Sequence, residues 1–364
     1  MDKDELCWCG SGKKHESCHL GREAQSPVAP HEAYRRLRRG FSTGMCLHPQ
    51  ASQETCRGRA IRAHTVQRSG GLQFIARNGH VYWFDPYQLN RRHDGSLQAS
   101  LIGVREASTF PGFCSYHDCE TFSPLEAQRL SFTPEQCFLL GYRALCRELH
   151  CKRRALAFIT MLRQTDRGKP AEAQVQIQGL ANKMEKGTRI GLNNLEATKQ
   201  IWDRTLLSRD FSEVGYYVLV FDRCPDTMCS GAEFPDQDFN DRPLLNVLDQ
   251  LTEIIAFNLI GTKSSGAYVF SWLRPAPHAE ALARSLDALQ DQDKAHAVLR
   301  YVFSGCENTF ISPQWWDALP EGHRIRLTQR MNMAGSPFDG WPSLKDDGTR
   351  AVDWQVVDRH SALN

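Results

Sequence analysis

Thirteen residues near the start of the chain, CWCGSGKKHESCH, hold four metal-binding side chains: Cys7, Cys9, Cys18 and His19. Three thiolates and one imidazole are the donor set of a closed, tetrahedral structural zinc site. Gly10-Ser11-Gly12 has a physical task between the two ligand pairs. Glycine enters left-handed backbone geometry without steric cost, so the chain can fold back and present both pairs to one ion. Lys13 and Lys14 add positive charge beside a site that would be formally −1 with zinc bound. A second set of donors is spread over three pieces. Cys46 and Cys56 frame His48 in CLHPQASQETC, His64 lies in RAIRAHTVQRSGGL, and GFCSYHDCETF carries Cys114, His117, Asp118 and Cys119. Four ligands from Cys46, Cys56, His64, Cys114 and His117 would close a second tetrahedral site, and His48 or Cys119 could substitute. Residue types and spacing leave that choice open.

Residues 7–19 closely resemble the SEC-C motif, the zinc-binding tail at the C-terminus of the Sec translocase motor, which is also appended to many unrelated bacterial proteins. The resemblance implies that Cys7, Cys9, Cys18 and His19 are zinc ligands. It also implies a docking role, because in the motor protein this module contacts an export chaperone and the ribosome. Residues 46–122 have the skeleton of a treble-clef zinc fold: two early cysteines, an internal Ala-His, and a later Cys-x-x-His. The order also resembles HNH-type (ββα-metal) endonucleases, with Ala63-His64-Thr65 matching one segment and Phe113-Cys114…His117-Asp118…Phe122 the other. By that resemblance His64 would activate water, and His117 with Asp118 as neighbour would hold Mg²⁺ or Mn²⁺ at the leaving oxygen. The match departs from the pattern where Phe110-Pro111-Gly112 stands in place of the family's asparagine, for which Asn78 is a distant stand-in.

The net charge of +2 is the sum of two unlike halves. Residues 1–200 carry 29 of the 44 Lys+Arg and 19 of the 42 Asp+Glu, which leaves 15 against 23 for the remainder. Residues 35–77 hold nine Arg and a single Glu. Arg57, Arg59, Arg62 and Arg68 crowd around His64 and are the expected nucleic-acid-binding residues, since neutralising phosphates releases counterions. The other reading of this stretch is a solvated basic face. Thirteen Cys beside a polar N-terminus without an apolar signal core point to free thiols and metal ligands in a reducing cytoplasm. Cys137, Cys146, Cys151, Cys224, Cys229 and Cys306 are scattered, mostly among apolar neighbours, and read as buried thiols. Cys224 and Cys229 could also be half of a metal site. No run of about 18 apolar residues occurs, so no membrane span is expected. There is no P-loop, GxGxxG, nucleophile elbow, HExxH or internal repeat.

Elements must position these groups. LQFIARNGHVYWFDP places apolar runs on both sides of Asn78-Gly79, a hairpin signal just after His64. Cys114 would sit at a knuckle feeding a helical stretch over 123–152, with Thr133 as N-cap and Pro134 at the first helical position. Residues 171–208 predict one or two long amphipathic helices. Strands are expected at 214–221, 254–260 and 267–272, then helices at 276–289 and 291–303. Trp315-Trp316 after Ser312-Pro313 predicts a capped helix start. The fold class is therefore α+β: a zinc knuckle (1–23), a linker (24–34), a treble-clef/HNH-like zinc domain (35–122), a helical segment (123–210) and a C-terminal α+β domain (211–364). The expected function is a bacterial-type cytoplasmic zinc protein that docks protein through the knuckle. Its basic domain would bind nucleic acid or a ribosome-associated partner. The alternative is a metal-dependent HNH-like endonuclease, with defence against foreign DNA as its setting.

Overall fold

The structure is a computed structural model, and the residues described are 2–29, 35, 44–67, 71–85, 97–126, 130–244, 253–334 and 342–363. Helices and sheets are both extensive, so the class is α+β. The strands are β1 (Ala60–His64), β2 (His80–Phe84), β3 (Ala99–Gly103), β4 (Thr109–Cys114), β5 (Val214–Phe221), β6 (Thr227–Glu233), β7 (Ile255–Gly261), β8 (Gly266–Leu273), β9 (Thr309–Ile311) and β10 (Val356–Ser361). The helices are α1 (Ser115–Glu126), α2 (Pro134–Gln164), α3 (Ala171–Ser208), α4 (Pro277–Asp287), α5 (Asp291–Gly305), α6 (Pro313–Ala318) and α7 (Glu321–Ala334). The chain divides into two compact units, residues 1–43 with 149–194, and residues 44–148 with 195–364. The five stretches expected from sequence are thus grouped in two, and the helical stretch 123–210 contributes to both.

The first unit joins the N-terminal knuckle to a helical hairpin formed by the end of α2 and the start of α3. Asp166, in the turn between them, is fully buried. The Pro134 start of α2 follows the expected cap, Gln136 N–H donating to Thr133 Oγ1 at 3.3 Å. Residues 171–208 form one helix.

The second unit holds two antiparallel sheets. One is the pair β1–β4; the other runs β10-β5-β8-β7-β6-β9-β2-β3. One face of the large sheet carries Tyr217, Phe257, Tyr268, Phe270 and Trp272, which cluster with Leu282 and Leu286 of α4 and Val298, Val302 and Phe303 of α5. Each such fully buried side chain contributes roughly 1.5–3 kcal/mol. The other face meets the start of α2, where Gly141 leaves no room for a Cβ beside Ser271. Phe138 stacks on Trp202 with ring centroids 5.1 Å apart. Coverage on both faces explains why β5, β7 and β8 read as apolar runs rather than alternating ones.

Two local expectations change. Asn78 and Gly79 do form a tight turn, both with positive φ (53° and 73°). Only β2 follows it as a strand, however, and the first arm is a helical turn at Gln73–Ile75. Leu72 and Ile75 turn inward with Val66, Val81 and Phe310, and that burial outweighs hairpin pairing. β2 pairs instead with β3 and, through Tyr82↔Ile311, with β9. The helix after Cys114 begins at once, at Ser115, rather than at 123. At Ser312 the cap forms as expected, accepting from Trp315 N–H at 3.4 Å.

Candidate metal centres

In the knuckle, an antiparallel bridge between Leu6 and Lys14 and the Cys7 N–H to Lys13 carbonyl bond (2.8 Å) fold the chain back. Gly10 and Gly12 take positive φ in the turn. A helical turn follows, with Cys18 and His19 N–H groups both donating to the His15 carbonyl. The ligand atoms of Cys7, Cys9, Cys18 and His19 all fall within 4.8 Å of one another. His19 Nδ1 is 3.2 Å from both Cys7 and Cys18 Sγ, and Cys9 and Cys18 Sγ are 3.5 Å apart. A zinc tetrahedron has edges of about 3.6–3.8 Å, so the four groups need to move only a few tenths of an ångström to hold such an ion. Without the ion, burial pushes the Cys7 thiol up to about 12. For Cys9 burial acts the same way, but hydrogen bonds from Ser11 prevail and lower it.

The second group consists of Cys46, Cys56, Cys114 and His117, again within 4.8 Å of one another. His117 Nδ1 lies 3.4, 3.7 and 3.3 Å from the sulfurs of Cys46, Cys56 and Cys114. Cys114 ends β4 and His117 stands in the first turn of α1, so the strand-to-helix junction turns an i, i+3 pair onto one side. The Cys46 segment is tied to β4 by Leu47 N–H donating to the Gly112 carbonyl at 2.8 Å. Gly44 passes so close that a Cβ there would lie 1.6 Å from the Pro111 carbonyl oxygen. Cys56 closes its own loop through a bond to the Ser52 carbonyl (3.0 Å). Burial pushes the Cys46 thiol up to about 11.

The structure places the other candidates away from this group. His48 does not point a ligand atom into it but stacks on the His117 ring, centroids 4.2 Å apart and 9° from parallel. Burial, reinforced by His117, pushes His48 down to about 4. His64 lies at the far end of the β1–β4 ladder: Ala60 pairs with Cys114 and His64 with Thr109. That register carries it roughly 13 Å along the strand. Its Nε2 is 3.2 Å from the Val104 carbonyl. Asp118 lies beside Arg143, 3.9 Å away, and burial raises its carboxyl. Cys119 is exposed and lies outside the group; the half-buried Cys224 and the buried Cys229 lie outside it too. Cys137, Cys146 and Cys306 are buried, as expected, while Cys151 is half-buried. Arg57, Arg59 and Arg62 are exposed, and the Arg57 guanidinium lies over the Tyr116 ring at 4.8 Å. Arg68 falls outside the described residues. One group that sequence reasoning missed is Asp166, whose Oδ2 is 2.9 Å from His19 Nε2. A single aspartate 147 residues from its partner leaves no local signal.

Compared with known families, residues 5–21 match the SEC-C motif. No curated protein and no solved structure matches the chain. The chain thus carries a SEC-C motif and two Cys₃His groups that could hold metal ions. Among the described residues no helix is long and apolar enough to cross a membrane.

Proposed function

We propose that this chain is a zinc-dependent docking protein with two structural zinc ions. The SEC-C knuckle holds one and presents a small surface to a protein partner. The second, in a treble-clef-like setting of loop, strand end and helix start, braces a basic surface for nucleic acid or a ribosome-associated partner. One observation carries this reading: Cys46, Cys56, Cys114 and His117 supply four donors, a complete tetrahedral set with no position left for water. Catalytic zinc keeps an open site, and Mg²⁺ prefers oxygen ligands over thiolates. The HNH-like alternative needs His64 facing the ion, and the β1–β4 register carries it away. The exposed Arg57 and Arg59 follow Cys56 in its loop and the exposed Arg62 lies just beyond in β1, so the ion would fix the start of the segment that displays them. Tyr116 beside Arg57 adds a flat ring on which a base can stack. Thirteen cysteines without a disulfide fit a reducing compartment such as the cytoplasm.

The test is a metal count joined to a binding assay. Purified protein should contain two equivalents of zinc and bind single-stranded or duplex nucleic acid with a steep salt dependence. It should leave plasmid intact in Mg²⁺ or Mn²⁺. Nicking that depends on added metal, or protein with no zinc, would overturn the proposal.

A further inference from the structure

We infer that Asp166 is a positioning residue of the knuckle's metal centre, so that the helical hairpin completes a site whose four ligands all lie within residues 7–19. The inference rests on the metal reading of the knuckle given above. His19 directs Nδ1 at the sulfurs of Cys7 and Cys18, so its Nε2 must carry the proton when Nδ1 binds an ion. That Nε2 is 2.9 Å from Asp166 Oδ2. Both side chains are buried, His19 to 3% and Asp166 to 0% residual exposure. A carboxylate bonded to the outer nitrogen of a metal-bound histidine fixes the tautomer, holds the ring plane and makes the imidazole a better donor.

The carboxylate is itself held by two further side chains. Arg22 Nε donates to Oδ1 at 2.6 Å, and Gln178 Nε2 donates to Oδ2 at 2.6 Å. Arg22 also donates to the Arg163 carbonyl at 3.0 Å, and Gln178 donates to the same carbonyl at 2.9 Å. A buried carboxylate is costly unless an opposite charge and hydrogen bonds compensate it, as Arg22, Gln178 and His19 do. Here it faces the one nitrogen ligand of the site. Asn182 of α3 makes a parallel contact, donating to the Cys9 carbonyl at 3.1 Å. The ion and the hairpin therefore support one another, and the knuckle is not a freely tethered bead.

The experiment uses the full-length protein with zinc and cobalt(II) as probes. Site-specific affinity is read by chelator competition. The knuckle's cobalt spectrum is obtained as the difference between wild type and Cys9→Ser, which lacks that site. Asp166→Asn keeps the shape of the side chain but loses its charge, and should weaken zinc at the knuckle roughly 10- to 100-fold and shift the cobalt bands. Asp166→Glu, which keeps the charge, should recover part of the affinity. Glu185→Gln removes a partner of Arg163 on the same hairpin without touching the knuckle, and should leave zinc affinity and spectrum unchanged. Loss of zinc in Cys9→Ser, with wild-type affinity and spectrum in Asp166→Asn, would overturn the role of Asp166 alone. Equal weakening in Asp166→Asn and Glu185→Gln would also overturn it, as mere loosening of the hairpin. Two full equivalents in Cys9→Ser would overturn the metal reading, and this inference with it.

Discussion

Replacing His117 with alanine removes the single nitrogen donor of the second metal group, while replacing His64 removes a side chain at the other end of the same strand pair. The two variants should behave oppositely. A structural zinc ion contributes roughly 10–16 kcal/mol to the fold that supplies its ligands, so one ligand of four is worth about 2.5–4 kcal/mol. That corresponds to a loss of roughly a hundred- to a thousandfold in affinity. His117→Ala also leaves three thiols crowded together with no ion to neutralise them. His64→Ala loses a hydrogen bond to the Val104 carbonyl, at 3.2 Å. Such a bond is worth about 1 kcal/mol, a melting shift of only a few degrees in a unit of this size. The assay is zinc content by mass spectrometry after dialysis against a weak chelator, with thermal melting followed by circular dichroism. His117→Ala should retain one equivalent and melt much earlier; His64→Ala should retain two. Loss of an equivalent in His64→Ala, with two kept in His117→Ala, would refute the ligand assignment. A zinc-replete His64→Ala protein that lost a plasmid-cleaving activity present in wild type would restore the general-base reading of His64.

Burial holds the metal-free thiols of Cys7 and Cys46 up to about 12 and about 11, so an incoming ion must displace their protons. Zinc affinity should therefore fall as pH drops from 8 to 6, by at least about one decade per pH unit at each site, and a pH-independent constant from chelator competition would contradict this. Glu233 is a second pH handle: burial pushes its carboxyl up from 4.5 to about 8, Tyr301 donates to one oxygen, and the other has no partner among the described residues. The folded protein thus holds a proton that the unfolded chain releases, and stability should decline as pH rises from about 4.5 to 8. Glu233→Gln should flatten that decline in denaturant titrations at pH 5 and 8; an unaltered slope would assign it to other groups. Changing Arg57, Arg59, Arg62 and Arg68 together to Gln should weaken nucleic-acid binding and reduce its salt slope. If affinity and slope survive, the arginines are a solvated face.

How much was legible in the chain depends on how far apart the interacting residues lie. The knuckle's ligand set is local: its ligands span residues 7–19, and a glycine turn followed by a helical turn brings them together, with only the outer nitrogen of His19 and the Cys9 carbonyl held from a distance. Strands such as Val214–Phe221 and Gly266–Leu273 and the helices from Pro277 and Asp291 are likewise legible, because apolar runs and caps act over a few residues. The second metal group was legible as a set of donors but not as a choice among them. Only the β1–β4 register, which carries His64 away from Cys114, and the stacking of His48 on His117 select Cys46, Cys56, Cys114 and His117. The arm before Asn78-Gly79 departs from a hairpin for the same reason, since burial of Leu72 and Ile75 against Phe310 is a contact between segments more than 200 residues apart. The carboxylate of Asp166 against His19 had no signal at all. Spacing and periodicity record what neighbours along the chain do to one another, whereas a partner 147 residues away is set by how buried surfaces fit together.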